Sequence, residues 1–346
     1  MAMAEVTVLG AGIFGLSIAW ACVQRGARVR VIDPHGPGAG SSGGIVGALA
    51  PHVPEQWNEK KAFQLDSLLM AADFWAGVEA ASGLPTGYAR SGRVQPIPDR
   101  AALDLAQARG ASAADLWRGQ AEWTVVPATD LGDWAPPSPT GWLIRDTLTA
   151  RLHPRMACTA LVAALRMRGA EVVTDHAPEG HVIHATGVAG LEEVSGATGR
   201  SFGNGVKGQA ALLALDMRDA PQLFVDTVHI VPHGDGTTAI GSTSEREYDD
   251  PTGTDAGLDA LIARARNAVP ALRDAAVIER WAGVRPRSRS RAPVLGVHPV
   301  HKDQFIANGG FKIGFGMAPK VAQVMADLVL DGVDQIPAGF RPEASL

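Results

Sequence analysis

The feature that most constrains this chain is a glycine turn close to its start. Val6-Thr7-Val8-Leu9 runs into Gly10-Ala11-Gly12-Ile13-Phe14-Gly15, and Arg28-Val29-Arg30-Val31-Ile32 ends at Asp33. Glu5 to Leu9 has the apolar character of a short buried strand, and Ile13 to Arg25 has helical periodicity closed by Gly26. Strand, glycine turn, helix, strand and acid in that order make a parallel βαβ unit. Gly10 permits the tight turn, Gly12 lets a pyrophosphate reach the backbone, and Gly15 lets the helix lie close to the strand. Ile13 and Phe14 supply the first-turn amides, where the positive end of the helix dipole favours an anion. Asp33 stands where a carboxylate can bind ribose hydroxyls. The unit specifies a dinucleotide and leaves open which one.

Bulk composition removes several classes. With 346 residues, 46% of them hydrophobic and 19% charged, the chain can bury a sizeable core in one large domain or, preferably, two. A net charge of −5 provides no field for nucleic acid or an acidic membrane surface. Residues 6–22 are apolar, yet no basic region precedes them and no other run is long enough to span a membrane, so a cytoplasmic protein is expected. Cys22 and Cys158, the two cysteines, lie in apolar helix-like segments. Neither a disulfide framework nor a metal centre is expected from them.

A nicotinamide domain would move directly from Asp33 to its next crossover. Here Gly36-Pro37-Gly38-Ala39-Gly40-Ser41-Ser42-Gly43-Gly44 follows, and then the apolar Ile45 to Ala50. Later come Leu152-His153-Pro154-Arg155 before a helical stretch to Arg168, a strand ending near Val173, and His184-Ala185-Thr186-Gly187. Val206-Lys207-Gly208-Gln209, His229-Ile230-Val231-Pro232 and Ile240-Gly241-Ser242-Thr243 read as strands. Trp281-Ala282-Gly283-Val284-Arg285-Pro286, Pro293-Val294-Leu295-Gly296 and Gly309-Gly310-Phe311-Lys312-Ile313-Gly314 complete the series.

In this order the segments resemble the D-amino-acid oxidase, glycine oxidase and sarcosine oxidase-like family of flavoproteins, most weakly over residues 55–140. The resemblance implies noncovalent FAD on an α/β, Rossmann-like domain of the two-dinucleotide-fold type, with an interleaved α+β substrate domain on an antiparallel sheet. The cofactor domain would take residues 1–50, 145–205 and 280–346, and the substrate domain 51–144 and 206–279. FAD contacts are expected from Gly10, Gly12, Ile13, Phe14, Gly15 and Asp33. The Ser41, Ser42, Gly43, Gly44 and Ala48 run would add more. Val173 would meet the adenine through its backbone, followed by Ala185, Thr186 and Gly187. Gly310, Phe311, Lys312, Ile313 and Gly314 would reach the isoalloxazine end.

Within the substrate domain, Asp66 to Ala81 reads as a helix, Ala101 to Gly110 as another, and Arg118 to Pro139 as an irregular covering segment with Trp123 and Trp134 in the core. Flavin oxidation of an amine needs the α-carbon held in line with N5 more than it needs acid–base groups. A cation on the substrate carboxylate does this best. The resemblance assigns that role to Lys312 and Arg285. Arg287, Arg289 and Arg291, alternating with serines, depart from the family pattern and present either a solvated face or a grip on an extra anionic group. Met317 and Phe315 could line the pocket or belong to the core, and Tyr248 reads as part of a surface turn. The expected activity is oxidation of a small amino acid or N-methylated amine, with oxygen or another carrier as electron acceptor. A 2-hydroxy acid substrate, or service as the flavin subunit of a larger complex, are the alternatives.

Overall fold

The computed structural model describes residues 4–346, so the first three residues of the expected cofactor domain lie outside it. From the amino end come β1 (Glu5–Leu9), α1 (Ile13–Gln24), β2 (Arg28–Ile32) and the short β3 (Ala48–Leu49). The long helix α2 (Glu59–Ser82) leads to β4 (Arg93–Pro96), α3 (Arg100–Leu116), β5 (Trp123–Pro127), β6 (Trp142–Asp146) and β7 (Ala150–Arg151). Next are α4 (Pro154–Met167), β8 (Glu171–Val173), β9 (His181–His184), α5 (Gly187–Thr198) and the long β10 (Gly203–Leu213). β11 (Gln222–Val225), β12 (Val228–Pro232), β13 (Thr238–Gly241) and α6 (Ala256–Ala268) follow. The chain closes with β14 (Val277–Ser288), β15 (Val294–Val297), β16 (Phe305–Asn308) and α7 (Gly314–Asp331).

Two large sheets divide these strands. The first has the order β15-β16-β9-β1-β2-β8, parallel throughout except for β15 at its edge. Val6 and Val8 of its central strand are buried, and α1 packs over it against α4 and α7. Because α1 is covered on nearly every side, its sequence is apolar all round. Gly15 makes the close packing possible, since a Cβ there would lie 2.0 Å from the Gly10 carbonyl oxygen.

The second sheet has the order β14-β10-β13-β12-β11-β4-β6-β5, antiparallel except where β11 meets β4. Strand alternation gives it two apolar faces. Leu213, Ile230 and Ile240 pack in one cluster with Leu258, Leu261 and Ile262 of α6. On the other face Ala210, Val231 and Ala239 join Ile45. The architecture is therefore the expected Rossmann-like domain with an antiparallel sheet beside it.

Several elements differ from expectation. Helix α2 starts seven residues earlier than Asp66, at Glu59, because the Asn58 side chain accepts the Lys61 amide as an N-cap. Helix α3 continues through Gly110 to Leu116. The expected irregular segment 118–139 contains strand β5, paired along its length with β6. Trp123 and Trp134 are buried there, their indole N–H groups donating to the Ala106 and Pro221 carbonyls. Strand β14 runs unbroken across the expected 279/280 boundary and pairs with β10 in the antiparallel sheet. Helix α2 packs on α4 and α7, beside the parallel sheet. Both cysteines are buried, and burial pushes each thiol up to about 12. Among the described residues no helix is long and apolar enough to cross a membrane.

Candidate active site

A cavity of about 880 Å³ runs between the two sheets, near the upper end of the range for small-molecule sites. At one end it is lined by Gly10, Gly12, Ile13, Phe14 and Asp33. Gly10 sits at φ +103°, and a Cβ there would lie 2.4 Å from the Ala185 carbonyl oxygen. The turn thus passes directly under the end of β9, and only glycine fits. Asp33 braces it from outside, its carboxylate accepting the amides of Ala11 at 2.8 Å and His35 at 3.0 Å. Ser42 Oγ accepts the Ile13 amide at 2.9 Å, tying the serine–glycine run to the start of α1. First-turn amides of a helix have no intrahelical acceptor, so this end is suited to a phosphate.

Ser41, Ser42, Gly44, Ile45, Gly47 and Ala48 continue the lining, with Ala185, Thr186 and Gly187 opposite. The Thr186 hydroxyl is turned toward Gly190, where a Cβ would lie 2.2 Å from it, and has no hydrogen-bond partner among the described residues. Together these features fit FAD: an amide cradle and ribose carboxylate at one end, then a long small-residue wall for a flat ring.

The far end carries the cations. Phe311 follows β16 in the left-handed region at φ +46°, and its amide donates to the Pro286 carbonyl at 3.1 Å, pinning the turn to β14. The Arg285 guanidinium lies 5.7 Å from the Phe311 ring centroid and Lys312 Nζ also 5.7 Å. Arg285 is 9% exposed. Its Nη1 donates to Ser242 Oγ at 2.6 Å, and its Nη2 to the carbonyls of Thr243 at 2.7 Å and Lys207 at 3.3 Å. A guanidinium has five N–H donors. Nε–H is among those left over, shut off from the cavity and without a partner among the described residues. Burial, offset in part by Glu245, brings Arg285 down to about 10. Lys312 is solvent-facing within the cleft, and partial desolvation, then the charge of Arg285, hold its ammonium below the usual lysine range.

His229 and Ser242, neither singled out from sequence as site residues, line the same end. His229 Nδ1 is buried with no partner. Burial, reinforced by Arg93 and Lys312, pushes the imidazole down to about 3, so the ring that lines the cavity is neutral, with Nδ1 closed off from it. Phe224, Trp281 and Phe315 supply apolar walls, whereas Met317 is fully buried in the core.

Four expected cofactor contacts do not line the cavity. Gly15 faces Gly10, as its packing task requires. Gly43 is pressed against Gly38, a Cβ there meeting the Gly38 carbonyl oxygen at 2.4 Å. The Val173 carbonyl is occupied by the Asp33 amide at 3.0 Å. Ile313 is the N-cap of α7 and packs on the core. Neither cysteine lines the cavity. The three later arginines separate: Arg287 stands 5.8 Å from the Phe311 centroid, Arg289 donates to the Leu346 carbonyl, and the Arg291 carbonyl takes Lys60.

Away from this site, His184, His298 and His301 each bring a ring nitrogen within 4.8 Å of the others. His298 Nδ1 accepts the amides of Val300 and His301 at 3.1 and 3.0 Å, which keeps its proton on Nε2. That nitrogen then has no lone pair for a cation; the His184 and His301 rings stack on one another and His298 lies tilted against both.

Comparison with known proteins bears on this geometry. A family model described as FAD dependent oxidoreductase (DAO) matches residues 5–328. The bifunctional protein ThiO/ThiG of Trichormus variabilis is 26% identical over 358 residues, covering 94% of this chain and 53% of that protein. The chain thus spans about half the length of that relative. The glycine oxidase of Bacillus subtilis is 24% identical, with 94% of this chain and 93% of that protein covered. Among solved structures, the iminodiacetate oxidase of Chelativorans sp. superposes with a TM-score of 0.83 at 21% identity, over 97% of this chain and 98% of that one.

Proposed function

Because this chain belongs to the family of FAD-dependent oxidoreductases that act on amino acids or amines, we propose that it oxidises the C–N bond of a small amino acid or N-methylated amine, with Lys312 and Arg285 holding the substrate carboxylate. One observation carries the proposal. Lys312 and Arg285 both line the cavity, and each stands 5.7 Å from the centroid of the Phe311 ring.

Gly12, Ile13, Asp33 and Ser42 would hold the pyrophosphate and ribose of FAD, and Thr186 and the Gly44–Ala48 wall would flank its ring. Bound FAD supplies a two-electron acceptor: hydride leaves the substrate α-carbon, the nitrogen lone pair closes a C=N bond, and water then releases the oxo acid and the amine. The chain's own task is placement of that α-carbon, within about 3–3.5 Å of the acceptor atom. Arg285 is suited to it because three hydrogen bonds already fix its plane. Lys312 adds a flexible point charge that can follow the carboxylate inward. Phe224, Trp281 and Phe315 keep water from the apolar part of the substrate. The amino group must arrive neutral, and nearby Arg285 and Lys312 lower the proton affinity of an amine beside them.

A second reading rests on His229. An alcohol, unlike an amine, needs its proton removed as hydride departs, and the neutral His229 imidazole in the cavity wall is a base at the same end. That favours a 2-hydroxy acid. Anaerobic reduction of the flavin by glycine, sarcosine, D-amino acids and 2-hydroxy acids separates the two: bleaching by hydroxy acids alone rejects amine oxidation.

A further inference from the structure

Phe311 is approached by a third cation that one substrate carboxylate leaves unused. Arg287 lies two residues beyond Arg285 on β14, so both side chains leave the strand on the same face. Its guanidinium is 5.8 Å from the Phe311 ring centroid, against 5.7 Å for Arg285 and 5.7 Å for Lys312. The turn holding the ring is bonded to Pro286, the residue between the two arginines.

No carboxylate pairs with Arg285, Arg287 or Lys312 within salt-bridge distance among the described residues. The Arg287 side chain has no hydrogen-bond partner there either, although it is half-buried. Partial burial holds it below the usual arginine value, and the charges that add to this, Arg291 and Arg246, are both of its own sign. Arg289 is not part of the group, because it is spent on the Leu346 carbonyl. Glu245, the acid nearest Arg285, is engaged by Gln209, Thr243 and Lys207. Arg285 and Lys312 line the cavity, and Arg287 stands beside Phe311 at its margin; in a chain of net charge −5, this concentration of uncompensated positive charge is a binding field for anions.

We propose that the substrate carries a second anionic group, beyond the carboxylate at Lys312 and Arg285, and that Arg287 binds it. The substrate class is then a small dianionic amine, and Arg287 selects it over monoanionic amines of the same size. This rests on amine oxidation as proposed above and extends it from the reacting carbon to the substrate's far end.

The test uses the FAD-loaded protein and two readouts. Dissociation constants for malonate and acetate come from perturbation of the flavin absorption spectrum, and kcat/KM is measured for iminodiacetate, N-(phosphonomethyl)glycine and sarcosine. Malonate is expected to bind at least about tenfold more tightly than acetate, and at least one of the two dianionic amines to exceed sarcosine about tenfold in kcat/KM. Arg287→Gln should collapse both ratios toward one, and Arg287→Lys should restore most of each. A purely structural role would lower dianion and monoanion together and leave the ratios intact, which overturns the assignment. Preference for iminodiacetate over the phosphonate identifies the second group as a carboxylate, and the reverse as a phosphonate. If no amine reduces the flavin while malonate still outbinds acetate, amine oxidation is excluded and the second acid site stands. If amines reduce it with no preference for a second acid, the site is excluded alone.

Discussion

Arg285 and Lys312 stand at one ring, yet their replacement should differ in its effect on stability. Arg285→Met removes three donors at once, the bonds to Ser242 Oγ, the Thr243 carbonyl and the Lys207 carbonyl. A hydrogen bond from a charged donor contributes about 1.5–3 kcal/mol, and a buried acceptor left bare costs about 1–3 kcal/mol. Loss of the buried charge itself relieves desolvation, so the net destabilisation is about 3–5 kcal/mol. For a chain of this size about 2 °C per kcal/mol applies, giving a fall in Tm of about 6–10 °C. Lys312 is exposed and donates no hydrogen bond within the protein among the described residues. Lys312→Met should therefore move stability by less than about 0.5 kcal/mol while lowering kcat/KM about 10- to 100-fold through loss of the carboxylate contact. The assay is thermal unfolding of both variants at saturating FAD and a fixed scan rate, alongside steady-state kinetics. An Arg285→Met protein that melts within 2 °C of the wild type would refute the scaffold role assigned to the three bonds.

Three further outcomes follow from single contacts. Gly15→Ala places a Cβ 2.0 Å from the Gly10 carbonyl oxygen, so the glycine turn must shift and the purified protein should lose most of its bound flavin, read from the ratio of 450 to 280 nm absorbance. Burial holds His233 and His298 neutral, at about 4 each, below the ordinary value of 6.5. The unfolded chain therefore binds more protons than the fold below pH 6.5. Stability present above that pH is lost as pH falls toward 4, by up to about 1.4 kcal/mol per pH unit for each histidine. Urea midpoints between pH 7 and 4.5 should show that slope, and His233→Gln should flatten it. Lys312, held below the usual lysine range by desolvation and Arg285, keeps its charge at neutral pH and loses it before an ordinary lysine would. KM should rise on the alkaline side, and Lys312→Arg should move that limb upward.

The βαβ unit was readable because everything that specifies it is local: alternating Val6 and Val8, glycines at fixed offsets, and an acid at the end of the second strand. Helix α2 was underestimated at its start even though Asn58 is a recognisable N-cap, because its first turn is polar and lacks the apolar period of Leu65 to Val78. Strand β5 was missed because Trp123, Val125 and Val126 lie among prolines, and only pairing with β6 makes them a strand. Lys312 and Arg285 were named from motif resemblance, but their meeting depends on the bond from the Phe311 amide to Pro286, a contact between distant segments. Arg287 and Arg289 look alike in sequence. The strand ends at Ser288 between them, so Arg287 stays on β14 beside Phe311 while Arg289, in the turn that follows, reaches Leu346. His229 carried no local signal, since its place in the cavity follows from β12 lying beside β13, where it is opposite Gly241.

The central claim is most directly tested by mixing the yellow protein anaerobically with a small amino acid or N-methylated amine and following the flavin band near 450 nm. The structure predicts bleaching by such amines, with Lys312→Met needing about 10- to 100-fold more substrate for the same rate. A band that amines leave unchanged and 2-hydroxy acids bleach would contradict it.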